Sequence, residues 1–230
     1  MEKYHSVFRD NDTEKIGLIC RAINFLEDIY EDAECEDIQV SIKDLDEGRL
    51  VVEPINCRYD PVESISVFSK QYDLDNVMIG SGDYSLWALY DHLINVYRET
   101  LHYKMLSLSG RTRTTGYEYY MGVLFDGSCF IVEGEHEYVR IPGMPQCLSA
   151  HTHPSPYPIP SSTDLKTITQ LLIDRGIGHI IVSYGPSLAI YRVRPLTIDD
   201  LEYLKTLNMN NPVEALKIIS RIESIRLRYI

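Results

Sequence analysis

Ala150-His151-Thr152-His153-Pro154-Ser155-Pro156-Tyr157-Pro158-Ile159-Pro160-Ser161-Ser162-Thr163-Asp164 is the stretch that decides how the rest of the chain is read. Gln146-Cys147-Leu148-Ser149 leads into it with small and apolar residues, as a buried strand end would. Side chains in a strand alternate faces, so His151 and His153 point the same way. Two imidazoles one strand step apart can share one ion. Seven residues then separate His153 from Ser161, and Asp164 follows three positions later. Prolines 154, 156, 158 and 160 lie between them. Each fixes φ and pushes the residue before it toward an extended conformation. A stiff arc of this kind can bring Asp164 back over the histidines. Two His and one carboxylate form an ordinary catalytic zinc set that leaves a fourth position for water.

The same residues carry a second signal. Ser161-x-x-Asp164 is a helix capping box, a Ser or Thr followed three residues on by an acid. Leu165, Ile168, Leu171 and Leu172 follow at helical spacing. The two readings are compatible: a helix starts here, and its first turn carries the carboxylate.

His-Thr-His-Pro, the seven-residue gap and Ser-x-x-Asp resemble the JAMM (MPN/JAB1) metalloprotease motif at His151, His153, Pro154, Ser161 and Asp164. The resemblance is strongest over residues 117–194, roughly a third of the chain. It implies an α/β fold, a mixed sheet flanked by helices and related to the cytidine deaminases. It also implies one Zn2+ ion held by His151, His153 and Asp164. The activity implied is that of a zinc isopeptidase or peptidase, acting on the C-terminal tail of a ubiquitin-like protein. The family's general base is a Glu on an earlier strand, and Glu118 is the best match, heading the apolar run Glu-Tyr-Tyr-Met-Gly-Val-Leu. The family pattern often has Gly three residues after that Glu, whereas here Gly122 lies four after. Glu133, Glu135 and Glu137 are rivals for the role. The resemblance gives Ser161 the stabilisation of the oxyanion. Segment 133–146 is expected to flank the substrate groove.

Elsewhere the periodicities predict an α/β chain in three parts. Residues 1–82 read as a small α/β region of its own. It has a helix over 13–31 capped by Asn11 or Thr13, strands near 38–42 and 50–52, and extended pieces at 65–67 and 77–79. Gly80-Ser81-Gly82 is a plausible boundary. Residues 83–195 form the core. A helix runs from Ser85 to about 105, a polar loop follows over 107–116, and strands lie at 118–125 and 128–132 around Asp126-Gly127. A short strand is expected at 138–141, a helix at 162–175, and strands at 180–184 and 188–191. His92 and His102 are not spaced to chelate together, so they are assigned no site role. Arg111 and Arg113 in the expected loop suit an acidic partner. Residues 196–230 read as two helices, 197–207 and 212–228, packed on the core.

Composition sets the outer bounds. The 230 residues are 44% hydrophobic and 24% charged, as in ordinary soluble domains. No apolar run is long enough to span a membrane, and Met1-Glu2-Lys3-Tyr4-His5 lacks the apolar core of a leader. The net charge of −12 argues against nucleic acid as the main partner. Five cysteines without a C-x-x-C pair suggest free thiols in a reducing compartment, hence a cytoplasmic location. Oligomeric state is open. The competing reading is a non-catalytic MPN scaffold, although such members typically lose the metal ligands. A zinc deaminase is excluded by motif, since His-x-Glu and Pro-Cys-x-x-Cys are both absent.

Overall fold

The computed structural model describes residues 4–134 and 143–230. Two sheets and eight helices make up a mixed α/β fold among these residues. The larger sheet contains β1 (Tyr4–Phe8), β6 (Tyr119–Leu124), β7 (Cys129–Glu133), β8 (Gln146–Thr152), β9 (Gly178–Val182), β10 (Ser187–Arg192) and β11 (Ile225–Tyr229). Its order is β1-β7-β6-β8-β9-β10-β11. Only the β8–β9 pair is parallel. A parallel pair needs a crossover, which α6 (Ser162–Ile173) supplies.

Helices cover both faces. On one side lie α1 (Asn11–Asp32), α4 (Leu86–Thr100) and α5 (His102–Thr115), with Ile16, Ile23, Leu93 and Met105 meeting Leu148, Ala150, Ile180 and Val182 in one core. On the other lie α6, α7 (Ile198–Thr206) and α8 (Pro212–Ile219), where Leu165, Ile168 and Leu204 pack on Ile181, Leu188 and Ile190. Ile180 and Ile181 thus serve opposite cores, as alternation along a doubly covered strand requires. The smaller sheet, order β4-β3-β2-β5, is built from β2 (Asp37–Val40), β3 (Leu50–Ile55), β4 (Val77–Ile79) and β5 (Tyr84–Ser85). Two further helices, α2 (Ile42–Asp46) and α3 (Pro61–Gln71), accompany it.

Several elements depart from the sequence reading. Within residues 1–82, β1 pairs with β7 in the larger sheet and α1 is buried against that sheet. The cap of α1 is Asp10, whose carboxylate accepts from the Thr13 N–H at 3.0 Å. Residues 65–67, expected to be extended, lie in α3. Asp60 accepts from the Val62 N–H and Pro61 holds the first turn, which outweighs the β-branched residues within. The polar stretch 107–116 is helical as α5, closed by Gly116 at φ 75°. Residues 225–229 continue the sheet as β11 instead of extending α8. The strand expected at 138–141 lies outside the described residues.

Cys35 and Cys57 form a disulfide, whereas Cys20, Cys129 and Cys147 are buried free thiols. The two bonded residues sit where the turn after α1 runs beside the end of β3, with the Glu36 N–H donating to the Ile55 carbonyl and the Arg58 N–H to the Glu34 carbonyl. That proximity is tertiary and invisible to residue spacing. With this bond, the argument from cysteine count to a reducing compartment falls away. No helix among the described residues is long and apolar enough to cross a membrane.

Candidate metal centre

His151 is delivered by β8, on the sheet face covered by α6. Tyr120 lies opposite it on β6, and Gly122 lies opposite Ser149. The ladder runs on past the strand, since the His153 N–H donates to the Val182 carbonyl at 2.8 Å. The proline arc is tied to the β9–β10 turn, where Ser183 Oγ donates to the Pro156 carbonyl at 3.1 Å. It ends at Ser161, the N-cap of α6. Ser161 Oγ accepts from the Asp164 N–H at 3.1 Å, and Asp164 Oδ2 accepts from the Ser161 N–H at 2.7 Å. The capping box therefore also fixes where the Asp164 carboxylate stands.

That carboxylate faces His151. His151 Nε2 lies 3.5 Å from Asp164 Oδ2, and His151 is 3% exposed. Two ligands bound to one zinc at tetrahedral angles are about 3.3 Å apart, given Zn–N and Zn–O distances near 2.0–2.1 Å. His151 Nε2 and His153 Nδ1 are both buried without a hydrogen-bond partner among the described residues. Buried polar atoms normally have one, so these nitrogens fit a metal ion as the missing partner. The fit is closest at His151 and Asp164. The His153 ring centroid is 6.0 Å from that of His151, and among the described residues no three His, Cys, Asp or Glu side chains converge at ligating spacing.

Glu118 immediately precedes β6, two residues from Tyr120, and so belongs to the same face as His151. Its carbonyl accepts from the Gly134 N–H at 2.7 Å, and its half-buried carboxylate has no hydrogen bond or ion pair among the described residues. Glu133 pairs with Tyr119 in the ladder and accepts from the Tyr119 hydroxyl at 3.0 Å, on the opposite face. Glu135 and Glu137 lie outside the described residues, as does most of the expected flap. His92 and His102 stand apart from the centre, His92 Nε2 3.6 Å from Asp46 and His102 Nδ1 3.5 Å from the Tyr97 hydroxyl.

The electrostatics follow from this clustering. Burial pushes the Glu118 pKa up, and the Asp164 carboxylate adds to the rise against the pull of His151. Burial alone would depress His151, but the Asp164 and Glu118 carboxylates hold it above its ordinary value. Burial and the neighbouring His151 push His153 down. Asp164 is held far below the carboxylate range despite its burial, by His151 and the Ser161 hydrogen bonds. Groups with pKa values driven apart in one cluster are characteristic of functional sites.

One member of the cluster carries no sequence signal. His179, on β9, is fully buried between His151 and Ser149. Its Nε2 is 2.7 Å from His151 Nδ1, and its Nδ1 is 2.7 Å from Ser149 Oγ. Only its place in the apolar run Gly-His-Ile-Ile-Val marks it as unusual. A cavity of about 610 Å³ elsewhere, lined by Arg194, Tyr203, Leu207 and Arg221, contains none of these residues. The sequence matches no protein-family model and no curated protein.

Proposed function

We propose that the chain is a JAMM-type zinc isopeptidase or peptidase that hydrolyses an amide at the extended C-terminal tail of a ubiquitin-like protein. The observation that carries this reading is the buried Nε2 of His151, which makes no hydrogen bond among the described residues and stands 3.5 Å from Asp164 Oδ2. The element order α5, β6–β7 hairpin, β8, α6, β9, β10 also supports it, being the JAMM order. His151, His153 and Asp164 would hold the ion. Zinc bound there lowers the pKa of a water ligand to about 7 and polarises the scissile carbonyl. Glu118 accepts a proton at its carboxylate and returns it to the leaving amine. Burial raises the Glu118 pKa, the direction that makes a carboxylate a stronger proton acceptor. Ser161 directs its hydroxyl at the developing oxyanion. Arg113, stacked over the Tyr184 ring at 4.7 Å, gives an otherwise acidic protein a local cation for an acidic substrate segment.

A second reading, the non-catalytic scaffold, is favoured by one observation: His153 does not converge with His151 and Asp164 into a three-donor group. Metal analysis of the purified chain separates the two. The enzyme reading expects about one zinc per chain, cleavage of ubiquitin-like conjugates that a chelator abolishes, and a Glu118→Gln variant that keeps its zinc while losing cleavage. A folded chain without zinc would establish the scaffold. Full activity in Glu118→Gln would pass the base role to another carboxylate.

A further inference from the structure

The three residues read as metal ligands are held in three different ways. His151 lies inside the ladder, between β6 and β9. Asp164 is fixed by the capping box of α6. His153 has neither support, because it stands one residue past the end of β8. What holds it there is a pair of contacts with the end of β9 and the turn that follows.

The first contact is the His153 N–H donating to the Val182 carbonyl at 2.8 Å. The second lies three residues on, at Pro156. Ser183, fully buried, accepts the Gly185 N–H at 3.1 Å and turns its own proton toward two carbonyls, Pro186 at 2.6 Å and Pro156 at 3.1 Å. One hydroxyl therefore closes the β9–β10 turn and fastens the proline arc to it. Gly185 lets the arc come this close, since a Cβ there would lie 2.7 Å from the Pro156 carbonyl oxygen. That oxygen belongs to the backbone and could not swing aside as the end of a flexible side chain would.

Between the two contacts the chain has little freedom. Pro154 and Pro156 have fixed φ, and His153 and Ser155, each before a proline, are confined to extended conformations. Four residues pinned at both ends and stiff between them hold the first of them in one place. Released at Pro156, the segment would pivot about the one bond at Val182.

We infer that Ser183 and Gly185 are positioning residues: the β9–β10 turn clamps the proline arc at Pro156 and so holds His153 at the metal centre. The metal rests on the function proposed above, whereas the clamp on the His153 backbone does not.

Amide hydrogen exchange in the metal-free full chain tests the clamp. Wild-type His153 should be protected like a strand amide, although it lies past β8. Ser183→Ala and Gly185→Ala break the Pro156 contact from its two sides. Each should speed exchange at His153 by roughly 2–10-fold, the effect of losing one hydrogen bond, and leave the His151 and Asp164 amides unchanged. The zinc dissociation constant should rise by a similar factor. In a His153→Ala background the clamp has no ligand left to position, so Ser183→Ala should cost no further zinc affinity. The visible spectrum of the cobalt-loaded Ser183→Ala chain should move toward that of His153→Ala. An unprotected His153 amide in wild type, exchange that rises equally at all three amides, or the same loss of zinc affinity with and without His153 would overturn the inference. Should Ser183→Ala fail to fold, Gly185→Ala, which keeps the hydroxyl, decides together with the wild-type protection. A chain that takes no zinc but shows protection at His153 and its selective loss in the variants would overturn the enzyme reading and leave the clamp standing.

Discussion

Ser161 uses one hydroxyl oxygen for two purposes. It accepts the Asp164 N–H at 3.1 Å as the cap of α6, and an oxygen that accepts keeps its own proton free to donate. Ser161→Ala removes both. Loss of the cap should cost about 1 kcal/mol, a fall of roughly 2–4 °C in melting temperature for a chain this long. If the hydroxyl also serves the oxyanion, turnover should fall by ~10²–10³ as well. Melting and turnover measured on one preparation tell these apart, and a lower melting point with unchanged turnover would leave Ser161 a cap alone. Ser161 and Asp164 were legible in the sequence because both signals are local, three residues apart. His179 was not. Its partners are 28 and 30 residues away along the chain and meet it only through the parallel β8–β9 pairing.

At the scale of elements, legibility followed the apolar pattern. The strand at 119–124 and the helix at 162–173 are strongly patterned, and both stand where the periodicity put them. Helix α5 was missed because its buried stripe, Met105, Leu108, Ser109 and Thr112, is narrow and half polar. Thr112 Oγ1 instead meets Thr152 Oγ1 at 2.7 Å. Strand β11 was hidden for a different reason. Arg226 and Arg228 alternate with Ile225 and Leu227 as a strand should, but what holds them is Asp91, far off on α4. Tyr191 donates to Asp91 at 2.5 Å and Arg226 forms an ion pair with it. Burial would raise the Asp91 pKa, but the Tyr191 and Arg226 hydrogen bonds bring it below the ordinary value. A depressed folded-state pKa stabilises the protein above the unfolded value, about 3.9, and that stabilisation is lost as pH falls through the folded value. Asp91→Asn should therefore melt lower than wild type at pH 7, with the difference shrinking as the pH drops below about 4. Since Arg226 is half exposed, the effect at neutrality should be near 1 kcal/mol at most. A gap in melting temperature that stays constant from pH 7 to pH 3 would show that Asp91 acts through packing instead.

Over the whole molecule, the sequence suggested a boundary near residue 82 because Gly80-Ser81-Gly82 breaks the pattern locally, whereas the forces that join the two sides are long-range. Glu27 on α1 and Arg192 on β10, 3% and 2% exposed at their side chains, form an ion pair at 2.9 Å inside the protein. Arg175 reaches the other Glu27 oxygen at 3.1 Å, the Tyr90 hydroxyl donates to Glu27, and Arg192 also donates to Asn24 Oδ1 at 2.9 Å. A buried charge stripped of its partner is expensive, about 3–5 kcal/mol, whereas replacing both charges with apolar groups is often near neutral. Glu27→Leu and Arg192→Leu should each destabilise by that amount, a large part of the 5–15 kcal/mol typical of a whole domain. The double variant should lose less than the sum, with a coupling of at least roughly 1–3 kcal/mol in urea denaturation. Because the pair spans the expected boundary, wild type should also unfold in one transition, reported alike by probes in residues 4–82 and in the sheet around His151. Additive losses in the cycle would mean that the pair contributes nothing to holding α1 on the sheet. Two separate transitions would mean that the sheet carrying His151 folds without α1, even though α1 supplies the core behind β8.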